Sequence, residues 1–536
     1  MMIPVISRHP ETGNFAETYL SRRNVLNLVL LISLLCFAAM LVMRFITAYS
    51  LNVDLVGVET NVVYSIQTAI AGQQLYNDPM YLPFTITQYT PLYYDLCAVT
   101  AKLLNINPAT DVHAVYVVGR MWNILLNLLT AYAIYLICSN IFRMEQKLSV
   151  IAGLCAFVFI FRHDFSVRPD SLQNLFVIWA VYYFFKYLRN LQHNTKSVGY
   201  LAVALFLAIA SIFAKQSGIQ LPIIFMGFLL FTFNWRGFIA GSLISLIVFG
   251  GFYLYYYLQY EEAFFLNVVG GVANGITLRG FLVWVIGAKP FVLKIFIPFL
   301  IVSFIIIKTK MIFKGSLEER FLAFCLAGFF GFATVTGLKM GATAQYYGLF
   351  QYLAWVLIFY YFGRKNEFFD STSALFSYGQ FKKAGVWVFL AALLAINTLY
   401  QLNMIRVDEF KGRAHLEAER QKTWNVANFL KDDMALAPGE MVFANLSVAE
   451  RRGINNALFA NAVVPQLEIV HFSMTPLKVF GFDQFNESLK NGKIKYIIDS
   501  DPVYHFIITD SFERIKRDHF RLIKTVDNYS IYQHKE

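Results

Sequence analysis

Apolar residues run almost unbroken through eleven stretches of the chain, near 25–48, 113–138, 148–161, 171–188, 198–214, 217–233, 237–258, 291–307, 321–338, 346–362 and 384–402. A helix needs roughly 20 such residues to cross the hydrocarbon of a bilayer, with tolerance for tilt. The pattern therefore predicts about eleven transmembrane helices. The first run exceeds the apolar core of a secretory signal and lacks a small-residue cleavage site after it, so it reads as a retained span.

The polar breaks carry the orientation. Arg8, Arg22 and Arg23 precede the first run, and alternate breaks hold Arg143 and Lys147, then Lys186, Arg189 and Lys196, then Arg236, then Lys308, Lys310, Lys314 and Arg320, then Arg364, Lys365, Lys382 and Lys383. Lysine and arginine collect on the cytoplasmic side of a membrane protein. The N-terminus is thus expected in the cytoplasm, and an odd number of spans sends the tail to the outer side.

Three outer segments stand out. The first loop, about 49–112, contains two helical patterns, Val58–Ala71 and Pro91–Leu104, and its length suits a functional element. The second, about 259–290, carries Glu261, Glu262, a glycine-rich turn at 270–275, Arg279 and Lys289. The third is the tail, 405–536, where the pattern changes: Ala414–Lys431 is amphipathic, Met441–Asn445 and Tyr496–Asp499 are β-rich, and Phe520–Gln533 reads as a hairpin turning at Asp527-Asn528. The fold class is an all-α polytopic membrane part, 1–404, followed by a small extracytoplasmic α/β domain, 405–536. Three Asn-x-Ser sequons in the tail (Asn445, Asn486, Asn528) are few enough to arise by chance.

Composition agrees with the pattern: 57% of residues are hydrophobic and 15% charged, against roughly a quarter charged in a soluble globule. The net charge of +11 belongs entirely to the spans and their loops, because the tail from Arg406 onward holds 18 basic and 18 acidic residues. The basic bias is a topology signal, and no basic helix interleaved with stacking aromatics points to nucleic acid. Five cysteines without a CxxC pair provide neither a disulfide framework nor a zinc site.

Ionisable side chains in or beside spans cost free energy, so they mark candidate sites. Here they gather at the outer boundary: Asp54 and Glu59 after the first span, Arg120 about two turns into the second, Arg162, His163, Asp164, Arg168 and Asp170 between the third and fourth, Lys215 and Gln216 between the fifth and sixth, and Lys339 after the ninth. Any one alone reads as a snorkelling or capping residue, but these cations oppose the positive-inside trend. The third run is short, so Arg162 is met at headgroup depth and a polar cavity is implied. Arg and Lys there suit an anionic lipid head, and an acid such as Asp54, held ionised by a neighbouring guanidinium, suits proton abstraction from a hydroxyl.

No P-loop, HExxH, GxSxG or dinucleotide fingerprint is present. Gly237-x-x-x-Gly241 and Gly337-x-x-x-Gly341 read as helix packing. Tyr81, Tyr89, Tyr93 and Tyr94 of the first loop fit either sugar stacking or interfacial anchoring.

The order of these features resembles the membrane-embedded GT-C glycosyltransferases, in particular bacterial relatives of protein O-mannosyltransferases and of the aminoarabinose transferase of lipid A. The matching residues are Asp54 after the first span, Gly72-Gln73-Gln74-Leu75-Tyr76, Tyr89-Thr90-Pro91-Leu92-Tyr93-Tyr94, Arg120, Ser166-Val167-Arg168-Pro169-Asp170 and Ala214-Lys215-Gln216-Ser217-Gly218, over roughly residues 20–360. The resemblance implies a polyprenyl-phosphate sugar donor used on the non-cytoplasmic face with inversion, and Asp54 as catalytic base. Members often have an adjacent Asp-Glu pair, whereas here Glu59 follows five residues on. The resemblance also implies a structural or donor-phosphate role for Arg120, Arg168 and Lys215, and a divalent cation at the first-loop acid in some members, with His163 and Asp164 as further candidates.

The expectation is a glycosyltransferase of a cell envelope, in a bacterial inner membrane, passing a sugar from a polyprenyl-phosphate donor to a hydroxyl of a lipid, glycan or protein acceptor. A transporter or flippase of an anionic or lipid-linked solute would share the spans, but would place its charges near the midplane and often show duplicated halves; neither is visible in the sequence. A non-catalytic assembly factor would share the topology without needing Asp54.

Overall fold

The structure, a computed structural model, describes residues 22–192, 197–288, 291–364, 379–446, 448–466, 470, 474, 479–500 and 510–535. Arg8, Lys196, Lys289 and Lys365 of the topology argument lie outside them. Each of the eleven apolar runs contains a helix. Numbered in chain order together with the two helices of the first loop, and leaving out the shortest turns, they are α1 (Arg22–Ala48), α2 (Glu59–Ile70), α3 (Leu92–Leu103), α4 (Val112–Leu136), α5 (Gln146–Val158), α6 (Asp170–Gln192), α7 (Val198–Ala214), α8 (Gln220–Phe231), α9 (Trp235–Val268), α10 (Ile297–Thr309), α11 (Leu317–Gly337), α12 (Gly348–Arg364) and α13 (Gly379–Ile405). Among the described residues, six helical segments are long and apolar enough by themselves to cross a membrane.

The seventh run is longer than its apolar pattern suggests. Helix α9 continues past 258, breaks at Glu261 (φ 50°, ψ −136°), and runs on to Val268, so part of the second outer loop is helical. Its residues Leu246, Ile247, Tyr255 and Leu258 are exposed, as expected of a face meeting lipid.

Helix α5 is shorter than a full span, and the chain leaves it through an extended turn while still inside the bundle. Carbonyls at the end of a helix lack intrahelical partners, and inside a membrane each must be satisfied by protein. Side chains from four elements do this here. Arg44 of α1 donates from Nη2 to the Phe157 carbonyl (2.7 Å), Asn397 and Gln401 of α13 to that of Val158 (3.1 and 3.0 Å), Gln351 of α12 to that of Phe159 (2.9 Å), and Lys294 to that of Ile160 (2.7 Å). This polar cap fixes the 3₁₀ turn Arg162–Phe165 and the loop to α6 at the outer end of the bundle.

The tail begins with α14 (Arg413–Asn428) and continues through β1 (Met441–Asn445), α15 (Val448–Leu458), β2 (Ala462–Val463), α16 (Phe482–Lys490), β3 (Ile494–Ser500), α17 (Asp510–His519), β4 (Phe520–Val526) and β5 (Tyr529–His534). The five strands form one sheet in the order β2-β1-β3-β5-β4, parallel on the β2 side and antiparallel in the terminal hairpin. The hairpin turns at Asp527, which adopts positive φ as Asp tolerates in such turns.

The tail sits on the first loop. Gln67 of α2 and Asn456 of α15 exchange hydrogen bonds (Asn456 Nδ2 to Gln67 Oε1, 2.7 Å; Gln67 Nε2 to the Asn456 carbonyl, 3.1 Å), and the Tyr64 ring packs on Phe459. Buried amides paired this way hold an orientation that apolar packing alone leaves free.

Candidate functional site

Two clusters of charged side chains occupy the outer end of the bundle, and they differ in how completely they are bonded. In the first, Arg120 of α4 and Glu59 of α2 form a buried pair with exposures of 1% and 0%. A guanidinium has five N–H donors and a carboxylate about four acceptor positions. Arg120 donates to both Glu59 oxygens (2.7 and 2.9 Å) and to the carbonyls of Thr47, Ser50 and Asn52 (3.3, 3.1 and 2.6 Å). Glu59 also accepts from the backbone N–H groups of Leu55 (3.0 Å) and Val167 (2.7 Å). Every donor of one and every acceptor position of the other is occupied. This pair fastens the end of α1, the start of the first loop and the loop before α6 to one point.

Asp54 belongs to the same knot. Its Oδ1 accepts from the N–H groups of Gly57 (2.7 Å), Glu59 (3.2 Å) and Val56 (3.4 Å), which caps the approach to α2 and orients the half-buried carboxylate. The turn requires φ of +100° at residue 57, a conformation glycine adopts at little cost. At Gly119, a Cβ would lie 2.6 Å from Val167 Cγ1. The missing side chain lets α4 approach the 166–168 loop, so that the Val167 N–H reaches Glu59.

The second cluster starts one residue further on. Arg168 donates from Nε to Asp170 Oδ2 (3.2 Å) and from Nη2 to the Tyr89 hydroxyl (3.2 Å). Lys215 donates to Asp170 Oδ1 (2.5 Å) and lies 5.6 Å from the centres of both the Tyr89 and Tyr346 rings. Burial opposes the Lys215 charge, but Asp170 and Tyr89 outweigh it and hold the ammonium above its ordinary range. Among the described residues, Arg168 Nη1 has no acceptor and Lys215 has one for a single hydrogen. Lys339, after α11, adds a third cation, which burial and then Lys215 push down to about 8.

The remaining acids and bases do not cancel this charge. Asp164 is pushed up to about 7, first by burial and then by Asp170. Burial, followed by Arg168, holds His163 well below the usual imidazole range. Its Nδ1 is buried without a hydrogen-bond partner among the described residues. The cluster thus has three cations around one engaged carboxylate, with donors left over: an environment that lacks an anion.

Three-dimensional comparison recognises this arrangement of helices and tail. The structure of ArnT from Cupriavidus metallidurans bound to undecaprenyl phosphate matches with a TM-score of 0.60 at 12% identity, over 93% of this chain and 97% of that one. The Archaeoglobus fulgidus oligosaccharyltransferase in the apo form matches at 0.57 and 12% identity, over 91% and 70% of the two chains. Its complex, as AglB, with an inhibitory peptide and a dolichol-phosphate matches at 0.54 and 11%, over 96% and 74%. This chain has the GT-C fold. No family model and no curated protein matches the GT-C chain by sequence.

In this GT-C chain the singled-out residues separate by position. Tyr89, Arg168, Asp170 and Lys215 meet, with His163, Asp164 and Lys339 in their field. Asp54, Glu59 and Arg120 form the neighbouring knot. Gln216 donates to the carbonyls of Gln88 and Val268, tying the first loop to the end of α9. Arg162 lies half-buried in the turn beside His163. Tyr346, Arg44 and Lys294 are additions. Arg44 and Lys294 fall inside apolar runs, and the cost of burying charge was a sufficient signal for both; Tyr346 had no signal in one dimension.

The A. fulgidus enzyme has also been solved with Zn and sulfate. Around Asp54, Oδ1 receives three backbone N–H groups. Among the described residues no three His, Cys, Asp or Glu side chains converge.

Proposed function

We propose that this protein transfers a sugar from a polyprenyl-phosphate donor to an acceptor hydroxyl at the outer face of the membrane. The observation that carries the reading is the Arg168–Lys215 cluster, in which buried cations exceed the carboxylate between them and keep unfilled donors beside Tyr89 and Tyr346. A phosphate with its charge on several oxygens satisfies such donors, and charge-assisted bonds in a dry setting are strong. The GT-C fold, seen in ArnT with undecaprenyl phosphate and in AglB with dolichol-phosphate, supports the lipid carrier.

In the proposed reaction Asp54 takes the proton of the acceptor hydroxyl while that oxygen forms a bond to the anomeric carbon. The bond from this carbon to the phosphate oxygen breaks, inverting the centre. The electron pair leaves with polyprenyl phosphate, whose charge Arg168, Lys215 and Lys339 receive. Asp170 positions the two cations, and the Glu59–Arg120 pair positions the base relative to them. No step runs through a metal. Residues 1–404 would form the catalytic membrane part of a bacterial inner-membrane enzyme with a cytoplasmic N-terminus, and 405–536 a periplasmic domain.

Buried charges also suit a transporter, but Arg44 and Lys294 are engaged by helix-end carbonyls, which favours the enzyme. Incubating purified protein in nanodiscs with a panel of polyprenyl-phosphate sugars and a membrane extract tests the reading. Donor-specific release of polyprenyl phosphate supports it, and absence of release from folded protein across the panel contradicts it.

A further inference from the structure

A second group of charged side chains lies deeper in the bundle, behind the turn Arg162–Phe165, and the proposed reaction uses neither of its cations. Arg44 of α1 is 1% exposed. A guanidinium keeps its proton in any protein setting, so its charge is permanent. Arg44 makes one bond to the Phe157 carbonyl, and its Cζ lies 3.8 Å from the centre of the Phe157 ring and 5.3 Å from that of Phe165. Its Nε and Nη1 are buried without an acceptor among the described residues. Neither Arg44 nor Lys294 forms a salt bridge among those residues; the buried pairs at this end of the bundle are Arg120–Glu59, Arg168–Asp170 and Lys215–Asp170.

The neighbouring side chains repeat the imbalance. Tyr352 of α12, 4% exposed, lies within electrostatic reach of Arg44 and Asp164, and its buried hydroxyl has no partner among the described residues. Trp355 follows three residues later on the same face of the helix. It stacks on Phe159 (4.6 Å), and its indole N–H is likewise buried without an acceptor there. Lys294 donates to the Ile160 carbonyl (2.7 Å), and its charge acts on Arg44 and Asp164. On the acceptor side are Asn127 Oδ1, buried without a donor among the described residues, and Asp164, whose Oδ1 accepts from Asn174 (3.4 Å). Asp164 also lies in the field of Asp170, Lys215 and Arg168, so two groups of cations draw on the same carboxylate. Water satisfies leftover donors but brings no charge, and a buried charge is costly unless it is paired. An anion does both.

We propose that a small monovalent anion of the chloride type binds inside the bundle between Arg44, Tyr352 and Trp355. It is a resident ion of the fold and takes no part in bond making, so the assignment does not depend on the transferase reading. Arg44 belongs to α1 and is bonded to the end of α5, while Tyr352 and Trp355 belong to α12. The ion thus joins three elements behind the loop that leads to Arg168. The rings of Phe157, Phe159 and Phe165, packed against the same donors, favour a compact halide over gluconate.

The test uses the full chain in nanodiscs, with chloride exchanged for gluconate at constant ionic strength. Binding of radiolabelled chloride and the thermal unfolding midpoint are measured for wild type, Arg44→Leu, Tyr352→Phe and Arg168→Ala, with and without undecaprenyl phosphate. The expected result is a single chloride per chain, kept by Arg168→Ala and unaffected by undecaprenyl phosphate, with a midpoint that rises saturably in chloride or bromide. Tyr352→Phe removes only a hydroxyl, so it retains the fold and weakens chloride binding roughly tenfold. Arg44→Leu loses both the binding and the halide response. Wild type that binds no chloride and unfolds at the same temperature in chloride and gluconate overturns the proposal. Chloride that undecaprenyl phosphate displaces, or that Arg168→Ala loses while Tyr352→Phe binds it as wild type does, also overturns it and places the ion in the outer cluster.

Discussion

The Val167 backbone N–H donates to Glu59 Oε1 at 2.7 Å, and this bond joins the loop that carries the proposed base to the loop that carries Arg168. Glu59 receives Asp54 through its own N–H and Arg120 through both carboxylate oxygens. The relative placement of the proposed proton acceptor and the proposed phosphate site is thus set by one saturated ion pair.

Removing one partner of this pair leaves a buried charge alone. Glu59→Gln and Arg120→Met are each expected to destabilise the protein by about 3–5 kcal/mol, measured by thermal unfolding in detergent. The double variant is expected to recover part of that loss, since the unpaired charge is gone. Single variants as stable as wild type would show that the pair does not hold these loops.

Arg168 and Lys215 are expected to act on affinity for the lipid phosphate. A hydrogen bond to a charged group contributes about 1.5–3 kcal/mol, so Arg168→Ala and Lys215→Ala are each expected to weaken undecaprenyl phosphate binding by roughly ten- to a hundredfold. Equilibrium binding of labelled lipid in nanodiscs checks this. Unchanged affinity in both would remove the phosphate from this cluster.

Lys339 is expected to make that affinity pH-dependent. Burial, then Lys215, lowers its ammonium to about 8, so it is mostly charged at pH 7 and loses its proton as the pH rises through 8. Phosphate is already largely dianionic above its second pKa of about 6, so its own titration does not oppose the trend. Binding is expected to weaken roughly tenfold between pH 7 and pH 9. In Lys339→Arg, which stays charged throughout, the profile should flatten; a profile identical to wild type would place Lys339 outside the site.

The polar cap on α5 is a stability element. Arg44→Leu strips the Phe157 carbonyl of its side-chain donor inside the bundle, and leaving a buried acceptor unsatisfied costs about 1–3 kcal/mol. A lower unfolding temperature with undecaprenyl phosphate affinity near that of wild type is expected. A loss of affinity without a loss of stability would give Arg44 a role in the site.

Much of this architecture was legible in one dimension because the membrane constrains it so strongly. Apolar length located a helix for every span, and the hairpin at Asp527 followed from β-rich runs around a turn pair. The shortness of the third run pointed to Arg162 at headgroup depth, and the structure adds that the chain turns there after Val158. What satisfied that turn was invisible, because Arg44, Gln351, Asn397 and Lys294 lie on elements far apart in sequence. The candidate residues stood out as a group through the cost of charge near lipid. Their division was not, since whether Arg120 saturates its donors on Glu59 while Arg168 keeps some open depends on which loops meet at Val167. Tyr346, one tyrosine among 31, gained meaning only when Lys215 was seen between its ring and that of Tyr89.

In the proposed mechanism Asp54 receives the acceptor's proton while the neighbouring cations receive the phosphate. Release of polyprenyl phosphate, measured with wild type and Asp54→Asn on the donor that wild type uses and a membrane extract as acceptor source, tests it most directly. The amide variant is expected to stay folded, to bind undecaprenyl phosphate as tightly as wild type, and to show acceptor-dependent release lowered by roughly 10²-fold or more. Release by Asp54→Asn at a rate close to that of wild type would contradict it.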